Sequence, residues 1–163
     1  MARGSDGDRT VQHGHPVGVA DFDGDGKADI LLWWNTATGA VALWLMNGTT
    51  VVSGQLIGTV PATWTPAAVR DFDGDGKADI LWRDGGGNVE VWLMNGPTIT
   101  LTASLGGAAP GWTLVGVGDF TGDGNGGLLW RDVAGNVAMW LTRGLRVVSD
   151  TFIMTVPPGW GVQ

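Results

Sequence analysis

The sequence predicts an all-β chain built from three copies of one four-stranded unit. Three observations carry this expectation: tryptophan recurs on a fixed period, the segments between turns are short and rich in β-branched and aromatic residues, and an acidic nonapeptide occurs twice unchanged. Trp34, Trp82 and Trp130 are 48 residues apart, as are Trp44, Trp92 and Trp140, and Trp64, Trp112 and Trp160. Nine of the ten tryptophans therefore lie on one lattice. The tenth, Trp33, falls where ILLWWN carries one residue more than ILWRD, so either Trp33 or Trp34 is the counterpart of Trp82. This period divides the chain into a tail at 1–9, repeats at 10–60, 61–108 and 109–157, and a linker remnant at 158–163.

Each repeat reads as four strands. In the second they are WTPAAVRDF, ADILWRD, NVEVWLMNG and TITLTASLG, separated by Gly-rich or Asn-Gly turns that favour hairpins. The first segment is rich in small residues (VGVA, PAAV, LVGVG), which suits an innermost strand where several sheets converge on an axis. The third segment is apolar on both faces, with Val89, Val91 and Leu93 on one and Trp92 and Met94 on the other. A sheet with one wet face would alternate apolar and polar, so this strand belongs to a sheet packed between two neighbours. Nowhere do apolar residues recur at i, i+3, i+4, i+7 without a Gly or Pro break, so no helix is expected. Four antiparallel strands in about 48 residues, packed face to face, define a propeller blade.

Known propellers have about four to eight blades. Three blades leave an apolar face uncovered at each end, more than soluble monomers expose. The ends are in phase, because Thr10-Val11 matches Thr59-Val60 and Thr155-Val156. The expected partner is a second copy, two three-bladed chains completing a six-bladed ring through heterologous contacts that close. The alternative is a fragment of a longer propeller, natural or engineered.

Composition narrows the function. The chain of 163 residues has 29 Gly, 10 Trp and no Cys, which excludes disulfide frameworks, thiolate zinc sites and cysteine nucleophiles. A net charge of −7 opposes nucleic acid and anionic membranes. The uncharged stretch between Asp29 and Arg70 is interrupted by Asn, Thr, Gly and Pro, so no run of about 18 apolar residues spans a membrane. MARGSDGDRT has no apolar signal region, so any export signal of the parent lies outside this chain.

The nonapeptide DFDGDGKAD stands at 21–29 and again at 71–79. Side chains at its positions 1, 3, 5 and 9, with the carbonyl at 7, can converge on one hard cation, and Gly at position 6 permits the sharp turn. Oxygen-only ligation by several carboxylates suits Ca²⁺ better than Mg²⁺, which keeps its waters and a strict octahedron. The expected ligands are Asp21, Asp23, Asp25, the Lys27 carbonyl and Asp29, then Asp71, Asp73, Asp75, the Lys77 carbonyl and Asp79. As mere turn formers, four carboxylates in nine residues would repel one another. The third loop, DFTGDGNGG, keeps Asp119 and Asp123 but has Thr121, Asn125 and Gly127 at positions 3, 7 and 9, and is expected to be weak or empty.

The acidic loops, the DILW strand after them and the xVWLMNG strand together resemble the FG-GAP or VCBS repeats of integrin-α propellers, bacterial secreted proteins and the Psathyrella velutina lectin. The resemblance runs over about residues 10–160. It implies four-stranded blades, Ca²⁺ in the loop between the first two strands, a secreted or cell-surface parent, and adhesion or the binding of glycans such as GlcNAc-type sugars.

Catalytic residues are scarce. The only histidines are His13 and His15, the only glutamate is Glu90, and no Ser has a recurring His beside it. The chain is expected not to be an enzyme. Sugar sites pair an aromatic face with planar polar groups, which Trp82-Arg83-Asp84 and Trp130-Arg131-Asp132 place side by side. Trp34 in the first repeat and Asn95 in the MNG turn complete the candidates. The competing reading makes the tryptophans filling between blades and the arginines partners of neighbouring Asp.

Overall fold

The computed structural model describes residues 14–16, 18–157 and 159–161, with backbone pairing alone for 14–16 and 30–34. Every regular element among them is a strand. The first sheet contains β1 (Gly14–Pro16), β2 (Val19–Ala20), β3 (Asp29–Asn35), β4 (Ala40–Asn47) and β5 (Thr50–Thr59). The second contains β6 (Trp64–Arg70), β7 (Asp79–Asp84), β8 (Asn88–Asn95) and β9 (Thr98–Gly107). The third contains β10 (Trp112–Gly118), β11 (Gly127–Asp132), β12 (Asn136–Arg143) and β13 (Arg146–Thr155). All pairs are antiparallel and, apart from β1 with β3, join chain neighbours, a β-propeller-like repeat. β1 and β2 both pair with β3 and together do what β6 does alone, since β6 is itself bulged between Pro66 and Ala68.

Register decides between the two adjacent tryptophans. Ile30 faces Trp44 and Trp33 faces Ala42, whereas Ile80 faces Trp92 and Trp82 faces Glu90. The extra residue of the first repeat is absorbed as a bulge between Ile30 and Trp33. Trp33 therefore occupies the place of Trp82, and Trp34, opposite Val41, occupies the place of Arg83, which faces Val89. Of the two candidates, register selects Trp33. A one-residue insertion shifts numbering without shifting the face, provided a bulge takes it up.

The sheets stack face to face through two apolar clusters. In one, Phe22, Val41 and Leu43 of the first sheet meet Ile80, Trp82, Trp92 and Met94 of the second. In the other, Phe72, Leu81, Val89 and Val91 of the second sheet meet Leu128, Trp130 and Trp140 of the third. Alternation along β7 and β8 thus sends successive side chains into different clusters, which is why the second sheet is apolar on both faces. Trp82 and Trp92 lie 5.1 Å apart with ring planes at 54°, and Trp130 and Trp140 repeat this at 5.1 Å and 57°. Tilted pairs of this kind add about 0.5–1.5 kcal/mol to the area they bury.

One hairpin in each repeat requires a glycine. Gly39, Gly87 and Gly135 have φ of 71°, 92° and 87° in the hairpin between second and third strands. Their carbonyls accept the amides of Val60, Ala108 and Val156 at 2.9, 2.9 and 2.8 Å. A Cβ on any of the three would run into the carbonyl oxygen of that same partner residue.

Candidate metal centre

The acidic loops are built around the carboxylate at their first position. Asp21 accepts the amides of Gly24 and Gly26 at 2.6 and 2.8 Å, and Asp71 accepts those of Gly74 and Gly76 at 2.6 and 2.8 Å. Those glycines have φ between 81° and 86°, so the turn needs both their freedom and the acceptor they wrap. At the ninth position Asp29 and Asp79 are each 1% exposed. Asp79 accepts the Phe72 amide at 2.8 Å and the Met94 amide at 2.9 Å, and Asp29 accepts those of Phe22 and Met46, both at 2.9 Å. Each carboxylate thereby staples the start of its loop to the third strand of its sheet.

Oxygens of Asp21, Asp23 and Asp25 lie within 4.8 Å of one another, as do oxygens of Asp71, Asp73 and Asp79. Ca²⁺–oxygen distances of about 2.3–2.6 Å place ligands on opposite sides of one ion about 5 Å apart, so this spacing fits a shared cation. The two groups use different members of the expected set. Asp75 is bonded by Lys77 through its amide at 2.8 Å and Nζ at 3.4 Å, and Asp25 by Lys27 at 2.8 and 2.7 Å. Lysine ammonium thus sits on carboxylates that a metal would otherwise neutralise. Its attachment holds the Asp25 carboxyl below the usual range.

Electrostatics in the second loop favour a cation. Burial pushes Asp79 up to about 7, against the two amides that stabilise its charge, and Asp73 and Asp71 add to the rise. Asp73 is also raised, first by burial and further by Asp75 and Asp71. A divalent ion would relieve both the repulsion and the desolvation.

The third loop is different. Asp119 accepts four amides, from Thr121, Gly122, Asp123 and Gly124 at 2.7–3.2 Å, and these hold it low. Asn125 turns its side-chain oxygen to the Gly144 amide at 2.9 Å, and its amide bond to Asp123 lowers that carboxyl. A Cβ on Gly127 would lie 2.8 Å from the Phe120 ring and 3.1 Å from the Trp140 carbonyl, so Phe120 has taken the space of the missing aspartate. Among the described residues, groups of three acidic ligands occur only in the first two loops.

The candidate sugar residues are engaged internally. Trp82 and Trp130 are 1% exposed and each packs into an apolar cluster between two sheets. Arg83 donates to the Trp112 carbonyl at 2.6 Å and lies 5.2 Å over the Trp130 ring, while Arg131 donates to the Trp160 carbonyl at 2.6 Å. Arg83 therefore ties its repeat to the start of the next, and Arg131 ties the third repeat to Trp160 beyond it, rather than pairing with Asp. Asp84 and Asp132 cap their hairpins through Asn88 and Asn136, whose side-chain amides hold both carboxyls low. Asn95 stands exposed at its turn, and the Trp34 side chain and His13 lie outside the described residues. The arginine clamp was readable as an Arg 29 residues before a lattice Trp in two repeats, a signal the local pairing argument passed over.

Fold and loops together define a β-propeller-like repeat protein with acidic loops whose residues suit a metal ion. The family model for FG-GAP-like repeats matches residues 21–82 and again 71–130. That is more than half of the sequence, and the chain belongs to this family. Among curated proteins nothing matches it.

Proposed function

We propose that the chain is a calcium-stabilised, non-enzymatic β-propeller module of an extracellular protein, with blades at 10–60, 61–108 and 109–157, acting in carbohydrate binding or adhesion. The observation that carries the calcium part is the convergence of three carboxylates on one point in each of two loops. Asp21, Asp23 and Asp25, with the Lys27 carbonyl and Asp29, would hold one ion. Asp71, Asp73, Asp75, the Lys77 carbonyl and Asp79 would hold the other. Filling both moves the charge from −7 to about −3. The loops are neighbours, since the Ala78 amide bonds the Asp21 carbonyl at 2.8 Å, so ions there would brace adjacent blades. Affinities of about 10⁻⁴–10⁻³ M suffice outside cells. EDTA is expected to lower the melting temperature and Ca²⁺ to restore it; an unchanged melt removes the metal.

A cleft of about 260 Å³ between the second and third sheets supports the sugar part. Trp112, Trp130, Trp140 and Asp150 are among its lining residues, and the Trp130 indole N–H has no hydrogen-bond partner among the described residues. Family membership favours an adhesive or propeller module. A glycan array with calcium-loaded protein, GlcNAc-type sugars included, tests this. No binding would favour a purely structural module, a reading supported by the internal use of Arg83, Asp84, Arg131 and Asp132. The sole glutamate accepts the Trp92 indole N–H at 2.9 Å, which speaks for structure over catalysis.

A further inference from the structure

The same interface is made twice inside the chain, and its two halves stand open at opposite ends. On the side facing the next sheet, Phe22 and Phe72 are 0% and 1% exposed, but their counterpart Phe120 is 44% exposed. Leu105, on the fourth strand of the second sheet, is 8% exposed, whereas Ile153, at the same bulge of the third, is 47% exposed. On the side facing the previous sheet, Trp92 and Trp140 are 6% and 7% exposed, and Trp44 is 37% exposed. Val19, the register counterpart of Val69, is 63% exposed. Among the described residues, the outer face of the third sheet therefore carries the half-interface that the first and second sheets present forward. The outer face of the first sheet carries the half that the second and third present backward.

We propose that these two faces dock on each other between two copies of this chain, the third sheet of each covering the first sheet of the other. The occupant is a second copy because the complement of each open face is present in the same molecule, in a shape already shown to fit twice. Two identical head-to-tail junctions related by a twofold axis close the pair into six sheets. Neither calcium nor a sugar is needed, so the arrangement stands or falls separately from the function above.

Internal contacts also supply the test. A Cβ on Gly18 would lie 3.1 Å from the Cβ of Val69 across the first and second sheets, close to the spacing of about 3.8 Å that a disulfide spans. Register makes Gly116 the counterpart of Gly18 in the third sheet, so the junction brings Gly116 of one copy to Val19 of the other. A Cβ on Gly116 meets only Leu129 at 3.7 Å, an ordinary contact, so cysteine fits there. The chain has no cysteine of its own. Light scattering of the 17.0 kDa chain is expected to give twice that mass. Mild oxidation should cross-link the Val19→Cys/Gly116→Cys variant into a covalent dimer and leave each single variant uncross-linked. Ile153→Arg, on an exposed strand where folding is not at stake, should return the chain to monomer. A monodisperse 17.0 kDa species, a ladder of open oligomers, or an Ile153→Arg protein that keeps the doubled mass would each overturn the proposal.

Discussion

Replacing Asp79 with alanine removes the acceptor of two buried amides and one member of the acidic group at the same time. The bonds from Phe72 and Met94 are 2.8 and 2.9 Å long, and the carboxylate is 1% exposed, so water does not take its place. Each buried amide left without an acceptor costs about 1–3 kcal/mol, which gives about 2–6 kcal/mol for the pair. Burial also disfavours the charged carboxylate, as its rise to about 7 records, and deleting it recovers part of that penalty. The expected loss in EDTA is therefore in the lower half of the range, about 2–3 kcal/mol. With free Ca²⁺ a hundredfold above its Kd, the parent chain gains about 2.7 kcal/mol per site that the variant lacks, so the gap widens to about 5 kcal/mol. Urea unfolding followed by tryptophan fluorescence, with EDTA and with Ca²⁺, measures both numbers. Asp79→Asn separates the roles, because an amide accepts one of the two N–H groups and should lose about half as much in EDTA. A variant within about 1 kcal/mol of the parent in EDTA would refute the staple. Equal stabilisation of parent and Asp79→Ala by Ca²⁺ would refute the ligand.

Gly87→Ala combines a positive φ of 92° with a collision against the Ala108 carbonyl, and is expected to cost about 2–5 kcal/mol by thermal or urea unfolding. Gly127→Asp should not restore the third loop: the Phe120 ring and Trp140 carbonyl obstruct its Cβ, so calorimetry should show no added Ca²⁺ site and a loss of about 1–3 kcal/mol. Arg83→Met removes the bond to Trp112 and the stacking on Trp130, and unfolding should show about 1–3 kcal/mol lost. The folded value of Asp79 is raised, from 3.8 to about 7, so between those pH values the folded metal-free chain binds this proton more readily than the unfolded one. In EDTA this group's contribution to stability should rise as pH falls from 7 toward 4, and Ca²⁺ affinity should fall over the same range. Asp79→Asn should abolish the first trend and weaken the second, which Asp73, also raised by burial, still carries in part.

The repeat, the strand order and the acidic loops were legible because each rests on short-range chemistry. DFDGDGKAD announces its turn through glycines that wrap Asp71, and NVEVWLM announces a doubly buried strand through the alternation of Val91 and Trp92. What escaped the sequence lies across sheets or in register. Trp33 and Trp34 are neighbours in the chain, and only pairing with Ala42 and Val41 tells them apart. Arg83 stands beside Asp84 in sequence, yet its guanidinium reaches Trp112 in the next repeat.

Local pattern by itself determined that this protein is a threefold β repeat with two full acidic loops and a third that lacks two carboxylates. Tertiary structure alone decided that Asp79 is as much a backbone staple as a candidate ligand, that Trp82 and Trp130 are buried between sheets, and that Phe120 fills the space an aspartate would need. The reason is physical. A turn or a strand face is fixed by residues within a few positions of one another, whereas burial and the fate of a side chain's hydrogen bonds depend on what another sheet brings against it.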